Sequence, residues 1–336
     1  MTLNDRIDAL VSLGQTIDHE VNNAMYVQAK LKNPWFTIDN IRKAIDAIQD
    51  HFLNKEKLYE WLSHYSIDDN KNPKKIGLIL AGNIPLVGIH DVLSVFLSGH
   101  ESIIKMSDKD TILTTYIINK LIAVSSETSE YFSIVERLAD YDAVIATGSD
   151  STSKVFNKYF NHVPNIIRRN RNGVAVISTS DDQETLKDFH HDLFDYFGLG
   201  CRNVSKVYLE NGVSSDLIFE SIVNASDIIN HNKYKNNYDY AYALYLMNQD
   251  DFKTNDILIM RENENIASRI ACLHYEYYQD KSSLEKVLSS QRDSIQCIVS
   301  SSPIDGFSHF KFGEAQCPAL SDYADGIDTI KFLANL

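Results

Sequence analysis

The stretch IGLILAGNIPLVGIHDVLSVFLSGHESIIKM, running from Ile76 to Met106, sets the reading of the whole chain. IGLILA (Ile76–Ala81) is an unbroken apolar run of strand length, and SIIKM (Ser102–Met106) reads as a second strand. Between them, HDVLSVFLSG (His90–Gly99) reads as a helix closed by Gly99. The alternation continues downstream. TILTTYIINKLIAVSS (Thr111–Ser126) is helical, DAVIAT (Asp142–Thr147) is a strand, STSKVFNKYFNHV (Ser151–Val163) is helical and GVAVIS (Gly173–Ser178) is a strand. Strands that are apolar along their whole length and alternate with helices predict an α/β fold, a parallel sheet covered on both faces. Such sheets take ligands outside the carboxyl ends of their strands.

Upstream, the first 65 residues read as helical. From Thr37, a candidate N-cap, Ile38, Ile41, Ala44, Ile45, Ile48 and Phe52 recur at helical spacing. The polar stretch DDNKNPKK (Asp68–Lys75) separates this region from the first strand, and its acidic part Asp68–Asn70 reads as a solvated loop. A second unit is expected from residue 179. It holds a helix over DDQETLKDFHHDLFDYFG (Asp181–Gly198), a strand SKVYLE (Ser205–Glu210) and a helix LIFESIVNASDII (Leu217–Ile229). Strands DILIM (Asp256–Met260) and IQCIVS (Ile295–Ser300) follow. The expected domains are 1–178 and 179–336.

Composition excludes several classes. With 336 residues, 44% hydrophobic, and 18 Tyr, 15 Phe and 2 Trp, the chain is too apolar and aromatic to be disordered. Lys and Arg number 32 against 46 Asp and Glu, a net charge of −14, which argues against a nucleic-acid partner. The most apolar stretch, Ile76–Ile89, is too short to span a membrane and carries Gly, Asn and Pro. The first residues, with Asp5 and Asp8, do not form a secretory signal. Cys201, Cys272, Cys297 and Cys317 lie far apart without CxxC spacing, so neither a zinc site nor a disulfide framework is expected. The eleven His show no metal-ligand spacing and read as structural or surface residues. A reduced, cytoplasmic protein without a metal is the expectation.

Four segments can carry chemistry. In AGNIPLVGIHD (Ala81–Asp91), Asn83 follows the first strand, where its amide is either a turn former or a donor to a developing oxyanion. In IATGSDSTSK (Ile145–Lys154), a strand passes through Thr147, Gly148 and Ser149 into a helix, whose free N–H groups suit a phosphate or serve an ordinary turn. Lys105, ending the second strand, is either a ribose or phosphate contact or a solvated surface residue. In GLGCRNVSKVYLE (Gly198–Glu210), two glycines precede Cys201, leaving room for a substrate to approach its sulfur. A lone cysteine is otherwise a small buried hydrophobe. Cys272 and Cys297, in apolar runs, and Cys317, before Pro318, take that reading.

In this order and at these separations, the four segments resemble the aldehyde dehydrogenase superfamily, and more closely its acyl-CoA reductase branch, the LuxC-type fatty acyl reductases. NPWFT (Asn33–Thr37) and the end FGEAQCPALSDYADGIDTIKFL (Phe312–Leu333) share the resemblance, which runs from about residue 30 to residue 336. It implies two Rossmann-like lobes with the active site in the cleft between them, and a C-terminal end of about 20 residues that returns to the first domain. It also implies Cys201 as an acylated nucleophile, and Asn83 with the Cys201 N–H as oxyanion donors. Thr147, Gly148 and Ser149 would lie at the cofactor pyrophosphate, and Lys105 at the adenosine ribose or its 2′-phosphate. NADPH is the implied cofactor, and Asp108, close after Lys105, leaves NADH open.

Members that hydrolyse their acyl-enzyme place a glutamate base before the strand equivalent to GVAVIS. Here that segment is IIRRNRNG (Ile166–Gly173), without a carboxylate, which favours reduction of the acyl-enzyme over hydrolysis. The expected activity is NAD(P)H-dependent reduction of a fatty acyl-CoA to the aldehyde. An acyl-phosphate reductase and a non-catalytic scaffold of the same fold are the alternatives. A homo-oligomer and an acyl-activating synthetase partner are further implications of the resemblance.

Overall fold

The computed structural model describes residues 1–67 and 72–336, so the acidic turn expected at Asp68–Asn70 lies outside the described residues. The chain divides into two units, Met1–Arg169 with Ala319–Leu336, and Asn170–Pro318.

The first unit opens with four helices, α1 (Leu3–Thr16), α2 (His19–Lys32), α3 (Ile38–Phe52) and α4 (Lys55–Leu62). The Thr37 hydroxyl caps α3 by accepting the Asn40 N–H at 3.2 Å, and Ile41, Ala44, Ile45, Ile48 and Phe52 are buried along one face. Five strands follow: β1 (Lys75–Ile79), β2 (Glu101–Lys105), β3 (Phe132–Ile134), β4 (Ala143–Thr147) and β5 (Asn165–Arg168). They form a parallel sheet in the order β3-β2-β1-β4-β5. Helices α5 (Ile89–Leu97), α6 (Thr111–Val124) and α7 (Asp150–Tyr159) connect them. Strands β3 and β5 lie at the two sheet edges, are short, and bury only part of their residues, so neither shows in the hydrophobic pattern.

The C-terminal segment closes this unit. The Arg168 guanidinium, at the end of β5, pairs with Asp91 of α5 at 2.5 Å and donates to the Thr329 hydroxyl at 2.9 Å. The Tyr323 hydroxyl accepts from the Trp61 indole at 2.8 Å, and a His90 ring nitrogen meets the Leu320 carbonyl at 2.9 Å.

The second unit holds β6 (Asn172–Ile177), α8 (Phe189–Phe194), β7 (Val204–Glu210), α9 (Asp216–Ser221), α10 (Asn232–Asn248), β8 (Lys253–Thr254), β9 (Ile259–Glu262), β10 (Cys272–Tyr278), α11 (Lys281–Ser290), β11 (Ile295–Val299) and β12 (His309–Phe310). Their order is β12-β11-β6-β7-β10-β9-β8, parallel except for β8 against β9. Strand β6 pairs with β7 and β11, so GVAVIS belongs to the second sheet and the division falls at Arg169/Asn170 rather than after residue 178.

Two long helices expected in this unit are broken. Of residues 181–198 only α8 is α-helical, because the Asp182 carboxylate draws the Thr185 N–H and hydroxyl into a local turn at 2.9 and 2.8 Å. The segment expected as one helix over Leu217–Ile229 is α9 followed by a 3-10 turn, Val223–Asn230. Strand β9 begins at Ile259, later than DILIM suggests, since Asp256 has a positive φ of 70° and the Asn255 side chain accepts the Leu258 N–H at 3.1 Å. Among the described residues no helix is long and apolar enough to cross a membrane.

Candidate active site

In the first unit, the carboxyl ends of β2, β1 and β4 lie side by side. The chain turns to one side of β1 for β2 and β3 and to the other for β4 and β5, so the β1/β4 edge is the topological switch point. Asn83 follows β1, Lys105 ends β2, Thr147 ends β4, and Gly148 and Ser149 follow it, so these five residues meet at one edge of one sheet.

The Asn83 turn is held from the start of α6, beyond β2. The carboxylate of Asp110, 4% exposed, accepts the Leu86 N–H at 2.7 Å, and Leu86 has a positive φ of 57°. Burial raises Asp110 to about 7, against the pull of its backbone hydrogen bonds to Leu86, Thr114 and Leu113. A Cβ at Gly82 would lie 2.6 Å from the Ser107 hydroxyl, so only glycine lets the turn after β1 pack this closely on the turn after β2. The Lys105 side chain is exposed, as is Asp108 in the turn beyond it.

At the start of α7 the N–H groups are only partly available. Gly148 donates to the Arg168 carbonyl at 3.2 Å, and the Thr152 N–H goes to the Ser149 hydroxyl at 3.3 Å. The Gly148 N–H is used because the β4–β5 pairing extends one residue beyond Thr147. Among the described residues, the N–H groups of Ser149, Asp150 and Ser151 have no protein partner, and they point from the positive end of the helix. A helix start of this kind, at the switch point of a parallel sheet, fits a dinucleotide phosphate.

In the second unit, Cys201 stands in the turn just before β7. The approach to it is strained. Tyr196, Phe197 and Gly198 have φ of 54°, 60° and 73°, and two of the three are aromatic residues for which the left-handed region is costly. Asn203 holds the turn: its carboxamide oxygen accepts the Gly200 N–H at 2.8 Å, and its nitrogen donates to the carbonyls of Asp192 and Asp195 at 3.1 and 2.9 Å. The fully buried Asp192 carboxylate in turn accepts the N–H groups of Gly313 and Ala315 at 2.6 and 2.9 Å. Burial raises it to about 7. Gly173 lets β6 approach the same turn, because a Cβ there would lie 2.4 Å from the Arg202 carbonyl oxygen. The Arg202 guanidinium lies over the Phe310 ring, 5.2 Å from its centre.

The four thiols differ. Cys201 is half-buried and Cys272 and Cys297 are buried. Burial pushes the Cys272 thiol up to about 11, where little thiolate exists near neutrality. The Cys297 thiol faces the Arg202 carbonyl at 3.9 Å. Cys317, expected to be buried, is exposed: Asp192 draws the backbone of Gly313 and Ala315 inward, and the turn that returns the Cys317 N–H to Glu314 leaves its side chain outside.

Sequence reasoning missed Asp110, Asp192 and Asn203. Asn203 carries a local signal, a carboxamide two residues after the cysteine. The two aspartates carry none, since their partners are 24 and more than 120 residues away.

This chain is similar to known proteins along most of its length. The family model described as acyl-CoA reductase (LuxC) matches residues 20–224, which include every site residue from Asn83 to Cys201. A long-chain acyl-protein thioester reductase 2 from Photobacterium leiognathi is 24% identical over 268 residues, 70% of this chain and 55% of that protein. A long-chain acyl-protein thioester reductase from Aliivibrio fischeri is 27% identical over 168 residues, 45% of this chain and 35% of that protein. The chain thus spans 55% or less of the length of these two relatives. Among solved structures, an apo betaine aldehyde dehydrogenase from Staphylococcus aureus matches with a TM-score of 0.65 at 12% identity, covering 94% of this chain and 73% of that one. Aldehyde dehydrogenase 21 from Physcomitrella patens matches with a TM-score of 0.65 at 11% identity, covering 99% and 88%. These two likenesses establish an aldehyde dehydrogenase-like fold.

Proposed function

The chain belongs to the acyl-CoA reductase (LuxC) family, and from that premise we propose that it reduces an acyl thioester to the aldehyde through an acyl-enzyme on Cys201. The observation that carries this reading is the Cys201 turn: a half-buried cysteine between glycines and a strand, its backbone clamped by Asn203. A thiolate there attacks the thioester carbonyl, the new carbon–sulfur bond forms, and the carrier leaves as its thiol after taking up a proton. Asn83 and the Cys201 N–H are proposed as donors to the tetrahedral oxyanion. The stretch Ile166–Gly173 offers no carboxylate to activate water, so the acyl-enzyme persists for reduction.

A nicotinamide nucleotide supplies the hydride when bound. Ser149, through its backbone N–H and those of Asp150 and Ser151, would hold the pyrophosphate, beside Thr147 and Gly148. Lys105 would hold the ribose or its 2′-phosphate. We propose NADPH as the preferred form. Asp108 works against that preference, and Asp108→Asn is expected to raise kcat/KM for NADPH over NADH. A homo-oligomer in the cytoplasm, served by an acyl-activating synthetase, completes the proposal.

The test is intact-protein mass spectrometry after incubation with a long-chain acyl-CoA and no reductant. One acyl group on Cys201, absent in Cys201→Ala, with NADPH consumption abolished by the same substitution, is the expected result. Acylation of Cys317 in its place, or undiminished turnover by Cys201→Ala, overturns the assignment. Turnover with an acyl phosphate but with no acyl thioester would replace the substrate class, and slow, equal labelling of all four thiols would favour a scaffold.

A further inference from the structure

NPWFT (Asn33–Thr37) takes no part in the chemistry proposed above, yet its first residue grips the turn that follows Lys105. Asn33 is buried. Its carboxamide oxygen accepts the Trp35 N–H at 3.2 Å, and its nitrogen donates to the Lys109 carbonyl at 3.5 Å. Lys32, the last residue of α2, donates to the Thr111 hydroxyl at 2.6 Å. Ser107 closes the same turn from within. Its hydroxyl accepts the Lys109 N–H at 3.3 Å, and its carbonyl accepts the Asp110 N–H at 3.0 Å. The turn is thus tied to the helical region behind it, while Lys105, Asp108 and Lys109 stand exposed on its outer side.

Two contacts carry this turn to the Asn83 segment. Gly82 packs so closely that a Cβ there would meet the Ser107 Oγ at 2.6 Å. The buried Asp110 carboxylate accepts the Leu86 N–H at 2.7 Å. That second bond holds a strained residue. The Leu86 φ of 57° lies in the left-handed region, which a leucine keeps only where its surroundings over-determine it. The Leu86 carbonyl accepts the Ile89 N–H at 3.0 Å, so the strained residue also sets where α5 begins. Asn83 lies between the two contacts, one residue after Gly82 and three before Leu86. Its backbone is therefore placed by the turn that carries Lys105 and not by β1 alone.

We propose that Asp110 is a positioning residue that couples the two halves of the first unit's site: a nucleotide seated on Lys105 steadies the turn of residues 106–110, Asp110 passes this to Leu86, and the Asn83 amide is fixed for the oxyanion. The coupling rests on the roles proposed above for Lys105 and Asn83. It makes acylation of Cys201 faster in the nucleotide-bound protein, so that the hydride donor is in place before the acyl-enzyme forms.

Hydrogen exchange and single-turnover acylation test it on the full chain, with NADP⁺ and NAD⁺ in separate arms so that no hydride is delivered. Bound nucleotide is expected to slow amide exchange at residues 82–89 by about fivefold or more in the wild-type protein. Asp110→Ala, which deletes the acceptor, should abolish that slowing. Asp110→Asn, which keeps an oxygen for the Leu86 N–H, should retain it. Acylation of Cys201 by a long-chain acyl-CoA should rise about five- to tenfold with nucleotide in the wild type and in Asp110→Asn, but not in Asp110→Ala. Should Asp110→Ala fail to fold, Ser107→Ala, at a half-buried position, loosens the same turn and should diminish both effects. Full slowing in Asp110→Ala or in Ser107→Ala overturns the proposal, as does exchange at residues 82–89 that neither nucleotide changes in the wild type. The exchange measurement does not involve the thiol. Slowed exchange without an acyl group on Cys201 therefore condemns the function proposed above and leaves the coupling standing. An acylated Cys201 whose rate and exchange ignore both nucleotides does the reverse.

Discussion

Asn203 makes three hydrogen bonds within the turn that presents Cys201, to Gly200, Asp192 and Asp195. Removing them strands buried groups and releases a segment that already holds two aromatic residues at positive φ. Asn203→Ala is expected to cost about 1–3 kcal/mol in denaturant unfolding. It should also slow acylation of Cys201 more than it changes donor affinity, because positioning is what it supplies. Two carboxyls make stability depend on pH. Asp110 and Asp192 are each raised by burial to about 7. A carboxyl raised in the folded state favours folding while protonated. Its contribution is full below the unfolded value near 4 and is lost as pH rises toward about 7. The midpoint of thermal unfolding should therefore fall between pH 4 and 7, and Asp110→Asn, which keeps an oxygen for the Leu86 N–H, should flatten that fall. An equally steep profile in the variant would refute the assignment.

At the scale of elements, the Arg168–Asp91 pair joins the end of β5 to α5, and Thr329 adds the C-terminal helix to the same guanidinium. Both side chains are at least 93% buried, and neither Asp91 Oδ1 nor Arg168 Nε has a partner among the described residues. A buried pair of this kind contributes little net stability, yet breaking it leaves a bare charge. Asp91→Ala should destabilise the first unit by roughly 3–5 kcal/mol, read from chemical denaturation, while the paired change Asp91→Leu with Arg168→Met should restore much of the loss. Gly173 belongs to the same scale. A Cβ at 2.4 Å from the Arg202 carbonyl forces β6 and the Cys201 turn apart. Gly173→Ala is expected to lower stability by about 1–3 kcal/mol and to raise protease cleavage around residues 196–203.

At the scale of the molecule, each unit has its own sheet, and the first is completed only when the chain returns at Ala319. Leu320, Tyr323, Ile330 and Leu333 are buried in the same core as Ile76 and Val95. Deletion of Ala319–Leu336 should therefore expose Trp61 and shift its fluorescence to the red, a loss local to the first unit's core. Trp61 emission unchanged by the deletion would show that the returning segment is not needed there.

What could be read in the amino acids was whatever local pattern encodes. Largely apolar runs gave β1, β4, β6 and β11, because a strand buried on both faces has no polar alternation to conceal it. Glycines marked the turns before Cys201 and after β1, where a Cβ has no room. Short edge strands, the breaks around α8 and α9, and the pairing of β6 with the second sheet were not legible. Each depends on a partner distant in the chain or on side-chain bonds that compete with helix. The same holds for Asp110 and Asp192. Their chemistry arises from burial and from neighbours brought together by folding, and a linear order of residues carries neither distance nor dielectric.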